Sequence, residues 1–201
     1  MKKNLPVFEL KIKESDFAKE EVQMIALVDE PAIEIDWYAF SKQFEFKVDK
    51  DRRLVTGVFM VADMPIYRHG KVPNSDQEGG YYTKFSKQTI YEIVQKFFRN
   101  GNTSKFNIMH SADHKAEGVY IIESLIVDKS RGMNAPEMFK GVSEGSWIGT
   151  AKIDNDEIWN DFIKSGNLKG FSVEGLFEPV FEENEDEDTL QQIADMTKGE
   201  N

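Results

Sequence analysis

Cysteine is absent from all 201 residues, which removes disulfides, thiolate metal sites and a cysteine nucleophile together and agrees with a reducing compartment. No stretch approaches the roughly 20 consecutive apolar residues that a membrane-spanning helix requires. Met1-Lys2-Lys3-Asn4 begins as a signal peptide would, but Pro6, Glu9, Lys11 and Lys13 interrupt the apolar residues after it. No apolar h-region forms, so a soluble, intracellular protein without a membrane partner is expected. A basic stripe is also missing, which argues against direct binding of DNA or RNA. Histidine is scarce enough, at three residues, for each to be weighed alone.

What is present is apolar and aromatic. Hydrophobic residues make up 40% and aromatic residues 12% of the chain, enough for one substantial core and one main domain. The net charge of -11 is unevenly placed: eight acids and one lysine occur from Glu182 onward, leaving about -4 for the rest. Glu182 to Asp188 holds six acids in seven residues and reads as a solvated connector, with a marginal helix over Leu190 to Met196. The expected division is therefore a folded domain over 1–181 and an acidic tail over 182–201.

Along the folded part, Leu5 to Lys13 alternates as a strand does, and Gln23 to Val28 is a second apolar run ending at Asp29-Glu30-Pro31. Phe44 to Val48 and Leu54 to Ala62 read as neighbouring strands, with Gly57 marking a bulge or a close backbone approach. Met64 to Gly80 reads as a long irregular loop, in which His69 is solvated. Tyr81 to Phe85 is a short strand, and Ser86 caps a helix whose Ile90, Ile93, Val94, Phe97 and Phe98 form one buried face before Asn100-Gly101. Lys105 to His110, Gly118 to Asp128 and Gly145 to Asp154 come next as strands, the last two joined by a second irregular loop over Lys129 to Glu144. Asp154-Asn155-Asp156 caps a helix from Glu157 to Ser165 that Gly166-Asn167 ends. The pattern gives about seven or eight strands and two principal helices. It predicts an α+β, mostly β fold: a partly closed, mostly antiparallel β-barrel with helices packed outside.

The chemistry centres on Gly170-Phe171-Ser172-Val173-Glu174-Gly175, where one small hydroxyl interrupts an apolar, β-prone run. A buried hydroxyl needs a partner or a purpose. It is either a strand-edge serine bonded to water or a carbonyl, or a nucleophile. His110 ends a strand beside a polar loop, as a general base on a rigid scaffold would, or as a half-buried histidine bonded to backbone would. His110 and His114, four residues apart with Asp113 between, form a weak metal signal, because a zinc motif of that spacing needs a helix and none is indicated. A serine–histidine pair needs a third group to orient the imidazole. Glu123 is the candidate, on a strand expected to run back beside the histidine strand, with Asp128 and Glu178 as substitutes. Gly175 or the 129–144 loop could supply oxyanion amides.

The order of these segments resembles the prohead (head maturation) proteases of tailed phages, of the XkdF type. The similarity runs through Ala26-Leu27-Val28-Asp29-Glu30-Pro31-Ala32-Ile33, Thr56-Gly57-Val58, and Tyr82-Thr83-Lys84-Phe85-Ser86-Lys87-Gln88-Thr89-Ile90. It continues through Asn107-Ile108-Met109-His110, the segment Glu123 to Asp128, Gly149-Thr150-Ala151-Lys152-Ile153 and the segment Asn167 to Gly175. The resemblance implies a fold like the herpesvirus assemblin protease, Ser172 as nucleophile and His110 as base, without cofactor or metal. Glu123 enters from strand adjacency alone. Such enzymes cut scaffold and capsid precursors, and usually themselves, inside the prohead in the host bacterial cytoplasm. The acidic tail would then lead toward scaffold or be self-processed. The rivals are a non-catalytic capsid- or scaffold-associated module of the same fold, and a metallopeptidase using His110 and His114.

Overall fold

The computed structural model describes residues 5–12, 24–29, 45–111, 113–175 and 177–181. The acidic tail and the segment after Asp29 lie outside them. Among the described residues, eleven short strands hydrogen-bond as three sheets. In the first, β1 (Val7–Lys11) lies between β11 (Glu178–Phe181) and β6 (Glu78–Lys84), and β6 pairs in turn with β5 (Ile66–Lys71). The second has β2 (Met24–Val28) at its centre, antiparallel to β10 (Gly170–Glu174) and parallel to β7 (Phe106–Ile108). In the third the order is β3 (Lys47–Asp49), β4 (Leu54–Met60), β9 (Trp147–Ile153), β8 (Val119–Ile126). The mostly β class is as expected; among the described residues the hydrogen bonding does not join the sheets into a barrel.

The main core lies between these layers, and a smaller cluster of Val58, Val127, Phe139, Val142 and Ile148 lies beside it. Phe171 packs edge-on against Phe46 at 4.4 Å and Phe59 at 4.5 Å between ring centroids, and Phe59 meets Trp147 at 4.7 Å. Such contacts add roughly 0.5–1.5 kcal/mol per pair beyond area burial. Helix α1 (Lys87–Arg99) closes one side with Ile90, Ile93, Val94 and Phe97, and the Ser86 hydroxyl accepts from the Thr89 N–H as its N-cap. That cap satisfies one otherwise orphaned backbone donor. Gly57 and Gly149 face each other across β4 and β9 because rings fill the space beside both: Phe171 beside Gly57, Phe59 beside Gly149. The close-approach reading of Gly57 is the one the structure adopts.

Three expectations are corrected. Residues 64–80 are not an irregular loop: β5 and β6 form an antiparallel hairpin there, in which His69 pairs with Gly80. Its Gly and Tyr content hid the alternation. The second helix is wound as a π-helix over Ile158–Ile163, with the Lys164 N–H reaching back five residues to the Trp159 carbonyl. The wider turn buries Ile158, Trp159 and Ile163 together. Lastly, β8 runs beside β9 and not beside β7. The polar segment after His110 closes on itself as a turn, so the chain enters another sheet instead of returning along the histidine strand.

Candidate active site

Ser172 sits mid-strand on β10. Period-2 alternation sends Phe171 into the aromatic core and Ser172 to the opposite face, where its register partner is Ala26 of β2 and the next in the row is Asn107 of β7. Ser172 is 5% exposed, yet it borders a cavity of about 140 Å3 together with Val58, Met60, Ile66, Arg68 and Phe177. The hydroxyl is therefore neither at a wet strand edge nor sealed in the core. It stands on the wall of a largely apolar space that Arg68 also borders. Nothing in the sequence marks Arg68, which reads there only as the neighbour of a loop histidine.

His110 lies just past β7 and is exposed. Met109 and His110 both take left-handed backbone conformations, with φ of 53° and 57°. A non-glycine residue held there costs roughly 1–3 kcal/mol, and such residues gather at functional sites. Two anchors hold the bend: the Met109 N–H donates to the Leu27 carbonyl at 2.9 Å, and the Asp29 N–H donates to Met109 Sδ at 3.4 Å. A tight turn then brings the Ile108 N–H to the His114 carbonyl at 3.0 Å, with Ser111 Oγ 2.9 Å from His114 Nδ1. His110 and His114 share this turn and not a helix, and no group of three or more potential metal ligands occurs among the described residues.

Ser172 lies in the sheet whose far strand, β7, leads into His110, but the register does not make the two neighbours. The Ser172 row crosses β7 at Asn107, two strand spacings or about 10 Å away, and His110 comes three residues later. Asp29 follows β2 as His110 follows β7, and the Asp29 N–H donates to Met109 Sδ, one residue before His110. In the sequence Asp29 only ends a strand; a parallel pairing of two short apolar runs was the missing signal.

Glu123 is not brought to this place. It is exposed on β8, opposite Thr150 and beside a bulge, and borders a shallow groove with Asp51, Arg52, Tyr120 and Lys152. The adjacency that recommended it does not exist. Asp128 caps a 3-10 turn, where a hydrogen bond from the Ser130 hydroxyl, aided by Arg131, holds its carboxyl below the ordinary range. Glu178 is exposed on β11, opposite Lys11. Neither Gly175 nor any residue of the 129–144 loop borders the Ser172 cavity.

Other shifted groups stand apart from Ser172. The Tyr120 hydroxyl donates to Asp154 at 2.8 Å, which raises the phenol and, together with Lys152, lowers the carboxyl. These exposed groups fasten the end of β8 to β9 and supply no base near the serine. No helix among the described residues is long and apolar enough to cross a membrane.

Comparison with known proteins gives one family. A family model described as "Putative phage serine protease XkdF" matches residues 42–180, a span that contains His110, Glu123 and Ser172 and excludes Asp29. No curated protein and no solved structure matches the chain. With more than half of its length covered by that one model, the chain belongs to the XkdF family of phage serine proteases.

Proposed function

We propose that the protein is a serine endopeptidase of phage head maturation, which cleaves scaffold and major capsid protein precursors, and itself, inside the assembling prohead in the host cytoplasm. The observation that carries this reading is a hydroxyl held mid-strand on the wall of an apolar cavity, within the span that the family model matches. A serine hydroxyl is a weak nucleophile and needs a base to take its proton as it attacks a carbonyl. His110 is that base. It takes the Ser172 proton, then returns one to the leaving amine, so the peptide C–N bond breaks as the ester forms and water later releases the acid. Asp29, rather than Glu123, orients the imidazole in this reading, because Asp29 ends the strand beside the histidine strand and its N–H meets Met109, the residue before His110. The three sheets are parts of a partly closed, assemblin-like barrel, with β4 passing β10 at the closing contact. The partners are the precursors and other copies of this chain; neither nucleic acid nor membrane belongs to the reading.

The test is incubation with the scaffold and capsid precursors and mapping of new termini by mass spectrometry. Wild-type protein generates them and Ser172→Ala does not. Cleavage that persists in the variant removes the serine mechanism. One observation favours a second reading, a non-catalytic capsid- or scaffold-associated module: the register separation between Ser172 and His110. Stable co-assembly with precursors that remain uncut, together with an unreactive Ser172, would decide for it.

A further inference from the structure

The cavity beside Ser172 has a chemically one-sided wall. Apart from Ser172 and Arg68, every residue bordering its 140 Å3 is apolar. Val58 and Phe59 point to opposite faces of β4, as Phe171 and Ser172 do on β10, yet all four border the same space. The cavity therefore lies where the two strands pass edge to edge, not beneath either sheet. Among the described residues, β10 is paired at that point on its far side alone, with β2, and β3 reaches along β4 as far as Thr56. An extended peptide laid along such an edge is held through its main chain and sends alternate side chains to opposite sides.

We infer that this cavity receives the side chain of the residue whose carbonyl Ser172 attacks, and that this side chain is apolar and no larger than phenylalanine. The inference rests on Ser172 being the nucleophile. A carbonyl within reach of the Ser172 oxygen is one bond from its own Cα, so its side chain starts at the cavity mouth. An apolar cavity of about 150 Å3 stays dry and holds a benzene-sized group. Leucine, methionine and phenylalanine fit this space; tryptophan does not. Lysine and arginine would bring a charge against apolar walls and face Arg68. A carboxylate would lose its water against eleven apolar neighbours.

The test has two arms on the full chain. In the first, a small alkyl fluorophosphonate is added and the adduct mapped; no adduct on Ser172 overturns the nucleophile, and the inferred position of the scissile residue with it. In the second, methyl NMR of Val58, Ile66 and Val173 tracks titration with the acetyl amides of leucine, methionine, phenylalanine, lysine and glutamate, which needs no catalysis. The apolar three are expected to shift these methyls with roughly tenfold or greater preference, and Ile66→Trp or Met64→Trp, which narrow the space, should abolish the response. Equal response to lysine or glutamate, or none to leucine, overturns the pocket even where Ser172 is reactive. Where Ser172 reacts, a peptide library should be cut after leucine, methionine or phenylalanine at least tenfold faster than after lysine; cutting after charged residues overturns the assignment.

Discussion

Replacing Gly57 by alanine probes the contact that sets the Ser172 strand against its neighbour. A Cβ at Gly57 would stand 2.7 and 2.9 Å from two atoms of the Phe171 ring and 3.2 Å from Phe46, where real Cβ atoms essentially never come within 3.0 Å. The ring must therefore move by several tenths of an ångström, and it has little room to do so. Phe46 and Phe59 hold it at 4.4 and 4.5 Å between centroids, and Phe106 lies behind at 6.4 Å. Overpacking of a close-packed core costs about 1–3 kcal/mol. Removing a glycine from the unfolded chain returns about 0.4–1 kcal/mol, so the net destabilisation spans about 0–2.6 kcal/mol and is about 1.3 kcal/mol at mid-range. For a chain of this size the mid-range value corresponds to a fall of about 3–5 °C in Tm. Denaturant unfolding of Gly57→Ala, Phe171→Leu and the double variant measures it. The double variant should show about 0.5 kcal/mol or more of favourable coupling, since leucine gives way where the ring cannot. A Gly57→Ala protein as stable as wild type, or the same cost in both backgrounds, would refute the reasoning.

Four other outcomes rest on named contacts. Ser146 is fully buried and its hydroxyl accepts from the Ala62 N–H at 3.0 Å; Ser146→Ala strands that donor and should cost about 1–3 kcal/mol in chemical denaturation. Burial works to raise the Glu9 carboxyl, but hydrogen bonds from Ser86 and Thr89, with Lys11, hold it below its ordinary 4.5. Its stabilisation is thus present above the unfolded value and is lost as pH falls through the lower folded one. The stability gap between wild type and Glu9→Gln should then be open at pH 7 and close in acid, and a gap that widens below pH 4.5 contradicts the assignment. Asp29→Asn should slow precursor cleavage by tenfold or more while leaving the melting curve within about 0.5 kcal/mol, as expected of an exposed positioning group; unaltered cleavage discards its role. Glu123→Gln, on the outer edge of another sheet, should cleave at the wild-type rate, and a hundredfold loss would restore it as the third group.

How much was legible depends on how local the cause is. The α1 segment was readable to within two residues because its cap, its apolar period and its Asn-Gly stop all lie within it. The β3–β4 pair was readable because the two runs are adjacent along the chain, whereas the β8–β9 pair was not: a long loop parts its strands, and β8 was expected beside the histidine strand. The β5–β6 hairpin was missed, since glycines and tyrosines at half-buried positions blur the alternation. The π-helix was missed too, because its apolar residues also suit an α-helix and the choice is made by what they pack against.

By itself the sequence determined the residue chemistry: no thiols, few imidazoles, one serine set between Phe171 and Val173 in a strand, and segment order enough to point to the family. Those come from composition and short-range period, which a chain carries wherever it is folded. Only the tertiary structure decided that β2 lies between the serine and histidine strands, that Glu123 leaves for another sheet while Asp29 ends the strand beside the histidine strand, and that Arg68 borders the serine's cavity. Strand pairing joins residues tens of positions apart, through backbone hydrogen bonds that every residue but proline can make. The side-chain pattern says which segments are strands, and the packing of one shared core says which of them meet.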